Sequence, residues 1–274
     1  LLGPHYERVL REAGLLSGAR LTGYPAKWLD NAARRAVPPA VIVEIAGVCG
    51  LGIEALHLLG GFEEVNDARG KSFFLLPSGT GGDDARCAAL LTYILNAGTD
   101  YGRADVGVVR DFRETPYSAA EVRRIMDRQR ANTWSYARDV RFVDRNGGRL
   151  ASTPNGILMG LGGSWVQRLF SQRGGTTWGD IFMVNCAAGD DPARLLREII
   201  TSRRIWHSES GGEAVAGVNL DGLLHHEERH SAQWAALGYS GMLRAYGWEL
   251  LRELAVRKVN RLEEDAGLHD GGYR

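Results

Sequence analysis

The residues best suited to chemistry lie in one run near the C-terminal end, Leu224-His225-His226-Glu227-Glu228-Arg229-His230. His226 and His230 are four positions apart, so on an α-helix they share a face and both imidazoles can reach one cation. Glu227 sits beside that pair without joining it, where a carboxylate can accept a proton from a metal-activated water. The spacing His-Glu-x-x-His therefore points to zinc held by His226 and His230, with Glu227 as general base. His225 is turned about 100° from His226 and reads as a neighbour of the ligands. The plain alternative is a solvated helix face rich in His and Glu. Leu220, Leu223 and Leu224 before the run, and Trp234 and Leu237 after it, argue that this helix enters a core instead.

Zinc needs a further protein donor. A third His in the pattern H-E-x-x-H-x-x-G-x-x-H is excluded, because Ser231-Ala232-Gln233-Trp234-Ala235-Ala236 supplies neither the Gly nor the His. No Asp occurs between His230 and Asp265, which removes a nearby Asp. Glu263-Glu264-Asp265-Ala266 remains. On a helix reaching Ala266, Glu263 shares a face with Ala255, Val256 and Val259, whereas Glu264 shares one with Arg257, Asn260 and Arg261. The apolar face turns inward, so Glu263 is the expected third ligand.

These groups must be held by a helix from Asp221, its expected N-cap, to a stop at Gly238, and by a returning helix from Gly241 to Ala266. Upstream, residues 5 to 37 read as helix with a break near Gly23-Tyr24-Pro25, and the apolar stretch Ala40 to Phe62 as buried helix. Lys71 to Leu76 is a short apolar run. Ala85 to Leu95 and Ser118 to Tyr136 read as helices, the latter with a Ser118–Glu121 capping box. Arg138 to Val143 reads as a strand before the Asp144-Arg145-Asn146-Gly147-Gly148 turn. Trp165 to Phe170 reads as a short helix. Thr176 to Val184 reads as one strand, with Ile181 and Met183 on one face and Phe182 and Val184 on the other. Asp190 to Arg203 is an expected helix with Pro192 in its first turn, and Glu209 to Gly217 a loop. Together these give an α+β chain, mostly helical, with a small sheet. Glycine punctuation suggests a boundary near 150, dividing a helix-rich region 1–150 from a domain 151–274.

With 274 residues and equal numbers of acidic and basic side chains, 33 each, the chain has no broad field for nucleic acid or an anionic membrane. Its apolar stretches are interrupted by charge and by glycine, so no transmembrane segment is expected. Cys49, Cys87 and Cys186 are too sparse for a disulfide framework or a Cys-x-x-Cys site. The chain opens without Met, as a trimmed or processed chain would, so the lack of a signal peptide leaves a soluble protein either cytoplasmic or exported. Pro77-Ser78-Gly79-Thr80-Gly81-Gly82 is glycine-rich before a helix but lacks the Gly-Lys-Ser/Thr ending of a phosphate loop. Asp83-Asp84 then matches the helix dipole. The carboxylates of Asp100 and Asp105 have no spacing that predicts a metal.

The C-terminal hundred residues resemble the glutamate-type zincin peptidases, the gluzincins, and within them small bacterial metallopeptidase-like domains attached to toxin or secretion-associated proteins. Three segments carry the resemblance: Thr176-Thr177-Trp178-Gly179-Asp180-Ile181-Phe182, Leu224 to Trp234, and Asn260-Arg261-Leu262-Glu263-Glu264-Asp265-Ala266-Gly267. The resemblance implies a zincin-like domain of edge strand, active-site helix and third-ligand helix. It implies zinc on His226, His230 and Glu263, and cleavage of a peptide or protein by metal-activated water with Glu227 as base. The strand bearing Gly179, Ile181 and Met183 would pair with substrate. Tyr239, Tyr246, His207 and Tyr273 are candidates for stabilising the oxyanion. The segment from Asn185 to Asn219 is longer than that pattern needs. Two other readings stand beside the peptidase: a zinc-bearing scaffold module without catalysis, and a toxin or effector whose N-terminal half binds a protein partner.

Overall fold

The computed structural model describes residues 3–49, 53–99, 117–162, 175–185, 191–205, 218–256 and 260–268. The fold is mixed α+β and mainly helical. Helices α1 (Gly3–Glu12), α2 (Gly23–Arg34) and α3 (Pro39–Cys49) are followed by a 3₁₀ segment, Ile53–Gly61, and strands β1 (Glu63–Asn66) and β2 (Ser72–Leu75). Then come α4 (Gly82–Leu95), α5 (Ala119–Ala131), α6 (Thr133–Arg145), β3 (Arg149–Ser152), β4 (Leu158–Leu161), β5 (Gly175–Trp178) and β6 (Ile181–Val184). The chain continues through α7 (Pro192–Ser202), a small pair β7 (Arg204–Ile205) and β8 (Val218–Asn219), α8 (Leu220–Val256) and α9 (Arg261–Ala266). No helix among the described residues is long and apolar enough to cross a membrane.

The main sheet has the order β1-β2-β3-β4-β6-β5. Only β4 and β6 run parallel; the other neighbours are antiparallel. Residue 150 lies inside β3, which pairs with β2 on one side and β4 on the other, so the sheet is continuous across the expected boundary. Side-chain alternation sends Phe182 and Val184 to one face, against Leu196, Ile199 and Ile200 of α7 and Leu220, Leu223 and Leu224 of α8. Ile181 and Met183 face the other way, toward Ala85 and Ala89 of α4 and Tyr136, Val140 and Val143 of α6. A separate cluster packs α1, α2 and α3 against α4 and α5 through Trp28, Leu29, Ile42, Ile45, Leu91 and Ile125.

Several elements differ from expectation. Arg138 to Val143 is helical, because Tyr136, Val140 and Val143 are the buried residues and recur at helical spacing. The helix from Ser118 ends at Ala131, and α6 begins after Asn132; Ser118 accepts from the Glu121 N–H as a cap should. Thr176 to Val184 is two strands of a hairpin, reversed at Gly179-Asp180, with Gly179 at φ +58°. The expected Asp221 cap is displaced by Asn219, whose side chain accepts from the Asp221 N–H at 2.9 Å, while Asp221 pairs with Arg69 and Arg203. Gly238, at φ +67°, does break the helical path of α8. The returning helix is itself broken: α9 starts afresh at its Asn260 N-cap. Among the described residues, Ser78 Oγ and the Gly79 N–H both bond Asp144, and a Cβ on Gly82 would meet the Tyr136 carbonyl at 2.5 Å. Those contacts give the glycine-rich loop a packing role. The expected helix 165–170, the loop 209–217, Asp100, Asp105 and Cys186 lie outside the described residues.

Candidate metal centre

Helix α8 enters the core with its Leu220, Leu223 and Leu224 face against the sheet, so the following turn is carried inside. His226 is 3% exposed and Glu227 4%, and His230 is also buried. The four-residue spacing does what helix geometry requires: Nε2 of His226 and Nε2 of His230 are 3.1 Å apart. Glu263 of α9 completes the group, its Oε2 lying 3.2 Å from His226 Nε2 and 3.3 Å from His230 Nε2. Glu264 is exposed. These are the three residues among those described that could hold a metal ion together.

The separations test the donor set directly. Ligands about 2.0–2.1 Å from an ion, at the tetrahedral angle, lie about 3.3 Å from one another. All three observed distances are close to that value. The outer nitrogens support the same conclusion. His226 Nδ1 lies 3.0 Å from the Gly267 carbonyl, which can only accept, so Nδ1 carries a proton and Nε2 is the nitrogen left to face the other two donors. His230 Nδ1 lies 2.9 Å from Gln233 Oε1 in the same relation. Glu263 Oε2 is buried and faces the two histidine Nε2 atoms. Two imidazole nitrogens and a carboxylate oxygen facing one point suit a positive charge between them. A proton can supply it: burial disfavours the His230 imidazolium, but the Glu263 carboxylate outweighs burial and the His230 pKa is pushed up to about 9. Burial also opposes the Glu263 carboxylate, yet His226 and His230 hold its pKa well below the usual range.

Glu227 is not one of the three grouped residues. Thr177 on β5 donates to its Oε2 at 2.6 Å, and the Thr177 carbonyl accepts from Trp234 Nε1 at 2.9 Å. β5 is the edge of the sheet on this side, whereas β6 is flanked by β4 and β5. Ile181 and Met183 are therefore interior and buried, and Gly179 sits in the turn, so these residues do not form the sheet edge, which on this side is β5. Neither Thr177 nor Trp234 was singled out by motif. Trp234 could have been, since it follows His230 by one helical turn on the same face.

Beneath the motif is a buried ionic cluster that sequence spacing does not reveal. Arg128 of α5 donates to Glu228 Oε1 at 2.5 Å, Asp180 Oδ1 at 3.2 Å and the Gly156 carbonyl at 2.5 Å. Arg124 also reaches Glu228, at 2.6 Å, and pairs with Glu121. Asp180, in the β5–β6 turn, further accepts from Asn132 and Tyr136. One guanidinium thus ties the helix bearing the two histidines to the hairpin bearing the edge strand.

The remaining candidates separate. Tyr239 meets Trp134 edge to face at 4.9 Å and lies 5.9 Å from Trp234, with the Arg138 guanidinium over its ring. Tyr246 lies farther along α8, half-buried. His207 and Tyr273 lie outside the described residues. His225 is buried in α8 and is not part of the three-residue group, as its helical position implied. No protein-family model, curated protein or solved structure matches the chain, so the site's own geometry carries the functional reading.

Proposed function

We propose that the chain is a zinc-dependent metallopeptidase of the glutamate type, with His226, His230 and Glu263 as ligands. The convergence of three donors at tetrahedral separations carries this reading. Bound zinc supplies Lewis acidity, polarising a carbonyl and making water acidic enough to ionise near neutral pH. Glu227 then takes the proton that the attacking water gives up, and returns it to the departing amine. Thr177 holds the Glu227 carboxylate in place from β5. An extended substrate would lie along β5, the edge strand among the described residues, by strand addition. Its pairing would involve the outward backbone groups of Gly175 and the Thr177 N–H, because alternate residues of an edge strand point away from the sheet and the Thr177 carbonyl already accepts from Trp234 Nε1.

Purified protein should contain about one zinc per chain and cleave members of a peptide library. Glu227→Gln should keep the zinc and lose cleavage. Metal-free protein prepared without chelators would sink the site. Zinc-loaded wild type that cleaves nothing would favour the second reading, a zinc-bearing scaffold. That reading has its own support, since the two histidines are buried and an ion there would tie α8 to α9.

With the His230 pKa pushed up to about 9, zinc binding at neutral pH would release a proton from His230. Zinc affinity should therefore rise with pH, by about tenfold per unit, from neutral pH to about 9, and then level off. Competition titrations with a chromophoric chelator at several pH values would show this; an affinity independent of pH over that range would exclude His230 as the competing base.

A further inference from the structure

Gln233 lies one turn beyond the motif, buried between α8 and α9. Its side-chain amide makes three contacts, all at 2.9 Å. Oε1 meets His230 Nδ1, and Nε2 donates to both the Leu262 carbonyl and Asp265 Oδ2. Two acceptors on the α9 side dictate the orientation of the amide. Neither can donate, so both demand the NH₂ end, and the carbonyl end must face His230. His230 can then satisfy that carbonyl only with a proton on Nδ1, which leaves Nε2 to bind a metal. The same amide fastens Leu262, just before Glu263, and Asp265, two residues after it.

Helix α9 has six residues, too few to be stable alone. It is held at its start by its Asn260 cap and by Glu249, which accepts from the Arg261 N–H at 3.0 Å. Its far end meets α8 through Gly267 and His226. Gln233 supplies the tie at its middle, at the level of the third ligand.

We propose that Gln233 is a positioning residue for the metal centre, setting the tautomer of His230 and docking Glu263 through one side chain. The proposal rests on the zinc reading above. It makes zinc affinity, and not merely stability, depend on a residue that never touches the ion. An outer partner of a metal-bound His is typically worth about 10–100-fold in metal affinity.

The test is zinc binding by chelator competition, with cobalt(II) absorption as a second probe of coordination geometry. Gln233→Leu removes both ends of the amide. Gln233→Glu keeps an acceptor for His230 but places a carboxylate against Asp265 and the Leu262 carbonyl. Gln233→Leu should bind zinc about 10–100-fold more weakly than wild type while keeping a native circular dichroism spectrum, and its cobalt bands should lose intensity. A purely structural role would lower the thermal stability of the metal-free protein and leave zinc affinity within about twofold, which overturns the proposal. If Gln233→Leu does not fold, Gln233→Glu decides, with about tenfold or greater weakening expected and unchanged affinity overturning it. Wild type that takes up no zinc defeats the metal reading and this role together. Wild type that binds zinc beside a Gln233→Leu protein that binds it equally defeats only the role of Gln233.

Discussion

Glu263→Ala should cost the protein its zinc, whereas Glu264→Ala, one residue on, should leave zinc binding unchanged. Glu263 Oε2 lies within 3.3 Å of both histidine Nε2 atoms, and Glu264 is exposed. Structural zinc sites with four ligands bind with roughly 10–16 kcal/mol, so one ligand is worth roughly 3 kcal/mol, or on the order of 100-fold in affinity. The charge adds to this. Without Glu263 the two imidazoles face a cation with no carboxylate to balance it, and His230 loses the partner that raises its pKa. Equilibrium dialysis of both variants against buffered zinc would measure the contrast. Zinc retained by Glu263→Ala and lost by Glu264→Ala would reassign the third ligand.

Arg128→Met should destabilise the folded protein by about 3–5 kcal/mol, the usual result of removing one partner from a buried ion pair. Arg128 is buried with its charge opposed by Glu228 and Asp180, themselves 2% and 0% exposed. Burial already pushes the Asp180 pKa up against the pull of Arg128, so losing the guanidinium leaves a carboxylate with little to hold it ionised. Arg124 still reaches Glu228, which keeps the cost finite. For a chain of this size each kcal/mol moves the melting temperature by about 2–4 °C, so a fall of about 6–20 °C is expected. Arg128→Lys should recover little, because one ammonium cannot match a fork that meets three acceptors on separate elements. Thermal unfolding of the metal-free protein would measure this. A loss under about 1 kcal/mol would mean that the cluster is solvated or neutralised.

The His226–His230 pair, and Glu263 rather than Glu264 as the carboxylate that meets it, were legible in the residues alone. So were the Ser118 cap, the break at Gly238 and the two faces of Ile181 to Val184. All of these are local: helical and strand periods fix which side chains share a face before any tertiary contact forms. Glu263 was selected, however, by a face shared with Ala255, Val256 and Val259 on one continuous helix. The structure starts a new helix at Asn260, so that alignment does not position it. Its place comes from Glu249, Gln233 and the His226–Gly267 contact, all side chains from α8 reaching the backbone of α9. The edge strand was misplaced for a related reason. Gly179-Asp180 is a two-residue reversal inside an apolar run, and periodicity alone does not distinguish one strand from a hairpin.

By itself, then, the sequence determined which residues could gather at a cation, because an i, i+4 pair and a carboxylate beside it are matters of helix geometry. Tertiary structure alone decided that the third donor arrives, that β5 is the edge, and that Arg128 joins Glu228 to Asp180 across 100 and 52 residues. Pairings at such separations leave no periodic trace, because the chain between the partners can take many paths and only the packed core selects one.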